Sequence, residues 1–331
     1  FSLGFHSSKG GLAALLSGGN QYGISNLKGS FSGSNAFALG TAVIVFFMLM
    51  ANARLEMVFD KWLLDEKGEV KPWVRHLKIA GLGAIAFSAF NVMSLHSRGS
   101  FLALAGGLFI FVAFRPNGFR RMMLILPLLG ITLLVVPLPD GFSERIASAF
   151  ADEEDRETSA ASRPHFWGVG VNMAVSNPFG VGLGCFNEHY DRYDPTEGEW
   201  GSGRSVHSSH FQVASETGVP GAIIWILLFC SSLLQCQVVR IRSRHLSLTP
   251  AQAAFLEYNA IALICGMLTF IVGGMFYALA LIELPWMMFV LSGALNRISK
   301  EMIEEAVVTE RVEEESGETD APRRSIYERH V

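Results

Sequence analysis

His207-Ser-Ser-His-Phe-Gln-Val-Ala-Ser-Glu-Thr-Gly-Val-Pro-Gly221 begins polar and ends at the head of a long apolar run, 219–239. Its spacing predicts a helix from His207 to Gly218, with His207, His210, Phe211 and Ala214 on one face. Gly218 stops that helix, and Val219-Pro-Gly221 opens the next. Just upstream lie Asn177-Pro-Phe-Gly-Val-Gly-Leu-Gly-Cys-Phe186 and Arg163-Pro-His-Phe-Trp167. The region from Arg163 to Gly221 holds four of the nine histidines: His165, His189, His207 and His210. Phe166, Trp167, Val169, Gly170, Met173 and Ala174 recur with helical spacing, which predicts a short amphipathic helix lying on a membrane or at a bundle mouth. Ser162 is its expected N-cap, Pro164 falls in its first turn and Asn177-Pro178 stops it.

Long apolar runs flank this region on both sides. They fall at 36–52, 76–95, 99–114 and 121–138 before it, and at 219–239, 255–276 and 278–296 after it. Most approach the roughly 20 residues that a helix needs to cross a bilayer. The 331 residues are 50% hydrophobic and 17% charged, with a mean hydropathy of +0.34. A soluble domain carries about 25% charged residues. The fold class is therefore an all-α polytopic membrane protein with about seven spans in this chain. Residues 1–138 form an outer-face amino-terminal segment and four spans, 139–218 a large loop, 219–298 three spans, and 299–331 a charged tail. Phe1 opens neither a signal peptide nor a helix, so further amino-terminal helices are expected upstream.

Lysine and arginine orient the spans. Arg54 to Lys78, then Arg115, Arg120 and Arg121, then Arg240, Arg242 and Arg244, and finally Arg297 and Lys300 fall on one side when the connections alternate. That side reads as cytoplasmic. The loop 139–218 falls on the other side, with 13 acidic residues, 5 arginines and no lysine. No basic stripe with interleaved aromatics is present, so nucleic acid is not an expected partner. Cys185 has no second cysteine in the loop and reads as a small apolar side chain.

Several residues carry possible chemistry. Arg98, in Ser97-Arg-Gly-Ser100 between two apolar runs, is either a fork for a phosphate or carboxylate or an interfacial anchor. Arg163 opens a helix whose first turn, with His165, suits an anion; alternatively it pairs with the acidic run 152–157. Gly180-Val-Gly-Leu-Gly184 lacks the Gly-Lys-Ser/Thr of a P-loop and reads as a tight turn that brings the two loop helices together. His207, at a helix entrance near the membrane surface, is a general base for a hydroxyl or simply a solvated histidine. Glu216 can orient or pair with neighbouring groups. A metal site would draw on His189, His207, His210, Glu188, Asp191 and Asp194, but neither His-Glu-x-x-His nor Cys-x-x-Cys occurs.

In their order around one large loop, Ser97-Arg-Gly-Ser100, Arg163 with Trp167, Asn177 to Gly184, and His207-Ser-Ser-His-Phe211 leading to Glu216 and Gly221 resemble the O-antigen ligase/polymerase family of membrane proteins. Lys9-Gly-Gly11, Gly18-Gly19 and Ser34-Asn-Ala-Phe-Ala38 resemble more specifically the O-glycosylation ligases found with exosortase systems. Two departures stand out: Ser208 follows the histidine where the family often has Asn, and several amino-terminal helices of the family are absent.

The resemblance implies a GT-C-like fold in the bacterial inner membrane with its active site facing the periplasm. It implies transfer of a glycan from undecaprenyl, or another polyprenyl, diphosphate to a hydroxyl of an acceptor glycan, lipid or protein, with inversion and without cofactor or metal. It assigns diphosphate binding to Arg98 and Arg163, and to His207 the deprotonation or positioning of the acceptor hydroxyl; Lys9, also on the outer side, and Arg204, three residues before His207, are candidate further contacts. Trp167, His210 and Glu216 are supporting residues. The alternatives are a polymerase of the same family, a transporter or flippase for an amphipathic substrate, for which Glu283 beside Pro285 is the one clear acid within a span, and a metal-dependent outer-face hydrolase.

Overall fold

The computed structural model describes residues 34–53, 55, 71–94, 98–114 and 162–316. The expected span at 121–138, the acidic run 152–157 and Lys9 lie outside the described residues. Within them the chain is helical, with no strand. The helices are α1 Ser34–Ala53, α2 Pro72–Ser94, α3 Arg98–Ala113, α4 Arg163–Ser176, α5 Phe186–Tyr193, α6 Ser209–Arg242, α7 Pro250–Gly274 and α8 Glu283–Ser316. Three of the described helices contain stretches long and apolar enough to cross a membrane, at Ala36–Ala53, Ser209–Arg242 and Pro250–Gly274, and Gly99–Ala113 is a shorter apolar helix.

The core is built around α7. Ala260, Ile261, Ala262, Leu263, Ile264, Cys265 and Met267 are all buried, so this helix is covered on every side. α1, α3, α6 and α8 pack against it. Small residues set the distances. A Cβ added to Gly273 would run into Leu39 of α1, and one added to Gly107 of α3 would run into Thr269 and Phe46. Close helix contact in apolar surroundings relies on such positions. On the other side, Trp225 and Phe229 of α6 meet Phe270 of α7 and Phe289 of α8, with the Phe229 and Phe289 rings 4.8 Å apart and edge to face. Thr249 and Gln252 form a capping box that starts α7, with Pro250 in the first turn.

One end of the bundle gathers basic residues. Arg240 lies over Phe114, just past the end of α3, at 4.1 Å, and Arg242 donates to Asn296 Oδ1 at 2.6 Å and to Ser299 Oγ at 3.2 Å. Arg98 stands at the other end of α3. There the loop helices α4 and α5 pack into their own apolar cluster of Phe166, Val169, Met173, Phe186, Tyr190 and Val206. Arg240 and Arg242 thus meet residues beside the Arg115 and Arg297 positions of the sequence, at the end of α3 away from Arg98.

Two helix starts away from His207 differ from the sequence reading. The last apolar run, read as 278–296, becomes helical only at Glu283, and 275–282 is irregular. Its backbone groups are engaged by α6: Ser209 Oγ donates to the Tyr277 carbonyl at 2.7 Å and accepts the Leu279 N–H at 3.0 Å, and Gln212 Oε1 accepts the Ala280 N–H at 3.3 Å. Downstream, α8 runs on into the charged tail as far as Ser316. The second difference is at Ser162. It precedes α4 in helical conformation and its side chain makes no cap, while its carbonyl accepts the Phe166 N–H at 3.1 Å.

Candidate functional site

The site forms where α4, the approach to α6, and the 275–282 turn converge. Asn177 ends α4 as expected, its Nδ2 donating to the Met173 carbonyl at 3.0 Å and to Tyr193 Oη at 2.8 Å. The glycine segment follows. Gly180, Gly182 and Gly184 all have positive φ, at 82°, 111° and 74°. The turn is joined to the end of the first half of α6 by backbone bonds: Val181 N–H to Ser215 O and Gly182 N–H to Glu216 O, both 3.0 Å, and Val219 N–H to Pro178 O at 2.9 Å. Opposite it, α6 breaks at Gly218, with φ 70° and ψ −166°. That conformation is essentially confined to glycine. Each glycine faces the other segment's backbone, since a Cβ on Gly180 would meet Glu216 and Thr217, and one on Gly218 would meet Pro178 to Gly180.

Glu216 completes this joint. Its side chain is buried, accepting the Gly184 N–H on Oε2 at 2.9 Å and Gln212 Nε2 on Oε1 at 3.4 Å. Several N–H groups that a phosphate cradle would offer are thus spent on α6. The segment is a joint between the loop helices, as its sequence indicates.

His207 differs from the sequence reading in conformation. It stands before the helix, at φ 49°, a left-handed region that few residues other than glycine adopt. The helix starts at Ser209, with Ser208 as N-cap; the Ser208 side chain accepts the Phe211 N–H and its hydroxyl donates to Gly274 O at 3.3 Å. This turns His207 out of the helical row that carries His210 and Phe211. Its ring remains exposed and lies 5.7 Å from that of Phe166. Partial desolvation, then the charges of Arg163 and Arg204, hold the imidazole below its ordinary pKa. Arg204 lies over the Phe166 ring at 5.9 Å.

Arg163, the first residue of α4, sits over the Phe276 ring at 5.5 Å. Phe276 also packs against Gly99, where an added Cβ would lie 2.7 Å from the Phe276 Cβ. The start of α3 and the start of α4 therefore share one aromatic residue. Arg98 is the residue next to Gly99; its side chain lies outside what is described. Trp167 stacks on Phe211 at 5.5 Å, and its buried Nε1 makes no hydrogen bond among the described residues.

The other histidines have structural employment. His210 accepts from Trp225 Nε1 on Nδ1 at 3.0 Å and donates from Nε2 to the Ile271 carbonyl at 2.9 Å. Both ring nitrogens are used, which fixes a neutral tautomer. His165 Nε2 lies 3.0 Å from Asp194 Oδ1 and 3.2 Å from Tyr190 Oη, so it faces the loop interior and does not join Arg163 in an anion site. Burial alone would raise the Asp194 carboxyl; donors from Thr196 and Gly198, with His165 beside it, hold it below its ordinary value. Burial, then the Asp194 charge, pushes the Tyr190 hydroxyl up to about 12. His189 Nδ1 lies 3.0 Å from the Cys185 carbonyl. Among the described residues no group of three His, Cys, Asp or Glu side chains is arranged to hold a metal.

Arg163, Arg204 and His207 thus gather around Phe166 and Phe276, two side chains the sequence did not mark as part of a site. Phe166 was legible only as one apolar member of a helical row, and Phe276 carried no signal beyond its place near a short turn.

Residues 83–226 match the family model for O-antigen ligase. No curated protein matches the chain. The matched region contains Arg98, Arg163, Trp167, Arg204, His207, His210 and Glu216; Lys9 lies outside it. The match supports the O-antigen ligase/polymerase family and, with it, an enzyme of ligase- or polymerase-type glycan transfer. Together with the apolar helices it points to an integral membrane protein.

Proposed function

We propose that this protein transfers a glycan from a polyprenyl diphosphate, such as undecaprenyl diphosphate, to an acceptor hydroxyl at the periplasmic face of the bacterial inner membrane. The observation that carries the reading is the placement of His207, a left-handed, exposed imidazole electrostatically coupled to Arg163 and Arg204, within the region that matches O-antigen ligase. In this reading the chain is a GT-C-like bundle of about seven spans whose large loop faces the periplasm, and its amino-terminal motifs favour the O-glycosylation branch.

The reaction needs a base and a stabilised leaving group. Neutral His207 takes the proton from the acceptor hydroxyl, whose oxygen attacks the anomeric carbon with inversion. The bond from that carbon to the diphosphate oxygen breaks, and the polyprenyl diphosphate leaves with the electron pair. Arg163 and Arg98, with Arg204 and Lys9 as further contacts, neutralise the charge that grows on it, so no metal is required. The depressed pKa of His207 suits this role, because the imidazole stays neutral beside cationic residues that attract the donor. Trp167, His210 and Glu216 hold the frame.

The test is transfer by purified full-length protein in lipid nanodiscs, from a polyprenyl-diphosphate glycan to candidate acceptors, beside His207→Ala, Arg98→Ala and Arg163→Ala. Loss of transfer in all three, with binding of donor weakened only in the arginine variants, is the expected result. Transfer at the parental rate by His207→Ala and Arg98→Ala would overturn the site.

A further inference from the structure

The outer face of α4 and the glycine turn after it form an apolar surface that the transfer chemistry does not use. Pro164, Gly168, Val171 and Val175 fall on one side of the helix and are exposed. Val175 is 74% exposed, and beyond it Phe179 is 85% and Leu183 65% exposed. Phe179 is thus a large aromatic side chain left almost entirely uncovered among the described residues. A water-facing loop rarely presents such a row.

Two observations name what covers it. The first is charge. From Pro164 to Asn187 there is no Asp, Glu, Lys or Arg, although the loop around this segment is strongly charged. Charge resumes with Glu188, Asp191 and Arg192 on α5, and continues through Glu197, Glu199 and Arg204. The second is continuity. The bond from Val219 N–H to Pro178 O ties the residue before Phe179 to the start of the apolar part of α6. From there the exposed side chains of α6 run Val219, Ile223, Ile226, Leu227 and Leu234. These are side chains of a helix long and apolar enough to cross a membrane. Phe179 therefore sits next to the head of that exposed apolar row.

We infer that the exposed face of α4 with Phe179 and Leu183 is seated in the outer leaflet of the bilayer, among acyl chains, while α5 and the acidic part of the loop remain in water. The partner is the lipid bilayer itself. This seat fixes the depth of α4, and with it the height of Arg163 above the acyl region, whatever reaction the loop performs. An uncharged helical face beside a span partitions in this way because its apolar side chains leave water without desolvating any ion.

The experiment measures depth directly. Full-length protein, its native cysteines replaced, is spin-labelled at Phe179→Cys, at Val175→Cys and, as a water-side reference, at Glu199→Cys, then reconstituted in nanodiscs. Collision with oxygen, which concentrates in lipid, is compared with collision with a water-soluble nickel chelate. Labels at 179 and 175 are expected to favour oxygen several-fold over the 199 label. Nickel access at 179 equal to that at 199 would overturn the inference whatever 175 shows. Low access to both reagents at 179 would overturn it too, since it marks a seat against protein. If the 179 variant fails to assemble, Leu183→Cys is read by the same criteria.

Discussion

Gly218→Ala tests the joint that couples the two halves of the site. At φ 70° and ψ −166° an alanine is strained, at a cost of about 1–3 kcal/mol. The new Cβ would also meet Pro178 O, Phe179 C and Gly180 N, all backbone atoms that cannot rotate aside. The turn must move away, which breaks the bonds from Val219 to Pro178 and from Gly182 to Glu216. Each contributes about 0.5–1.5 kcal/mol net. The sum is about 2–6 kcal/mol of local destabilisation; at its middle, about 4 kcal/mol is nearly three powers of ten in an opening equilibrium. Hydrogen exchange in nanodiscs should show the Gly182 and Val219 amides losing protection on that scale, with α7 little changed. Gly168→Ala is the control, because Gly168 is helical and a Cβ there meets nothing within 4 Å. It should stabilise by about 0.5–1 kcal/mol. Parental protection at Gly182 and Val219 in Gly218→Ala would refute the reasoning, as would equal effects from the two substitutions.

Other outcomes follow from the same geometry. His207→Gln should lower kcat/KM for transfer by about 10²–10⁴ while thermal stability holds, and a retained rate would remove the base. Because the folded state depresses the pKa of His207, transfer should decline only on the acid side, below the ordinary value of about 6.5. Arg204→Gln removes one of the charges that depress it, so the acid limb of kcat/KM should move to higher pH, and an unmoved limb would count against the pairing. The linked stability has the same sign: the share contributed by neutral His207 is complete above the unfolded pKa and is lost as pH falls through the lower folded one. His210→Phe should destabilise by about 1–3 kcal/mol for each partner it leaves unpaired, Trp225 Nε1 and the Ile271 carbonyl, read as thermal unfolding in nanodiscs. Asp194→Ala should loosen the loop around Thr196 and Gly198 and raise exchange there before any change in the bundle.

Local signals were readable where the cause is local. The stop at Asn177-Pro178 and the break at Gly218 follow from side chains and dihedral preferences within a few residues, and both appear where the sequence puts them. The apolar runs around α1, α3, α6 and α7 were equally plain. What escaped depends on distant partners. The irregular 275–282 segment is held by Ser209 and Gln212, some seventy positions away in sequence. The pinning of His165 needed Asp194 and Tyr190, and the lock on His210 needed Ile271 and Trp225. No spacing rule links such residues. His207 stood out by type and position as a candidate, but its left-handed turn depends on how Ser208 and Ser209 dock on the end of α7 and the turn beyond it.

The backbone bonds between the Pro178–Gly182 turn and the 215–219 stretch of α6 also bear on timing. Stitched in this way, the end of α4 and the start of the second half of α6 are held together, so a tilt of one carries the other. The proposed reaction includes no opening of that joint. In the proposed reaction, then, the wait before each turnover at low donor density is set by lateral diffusion of a long lipid in the leaflet. A more viscous bilayer would slow encounter without altering the chemical step.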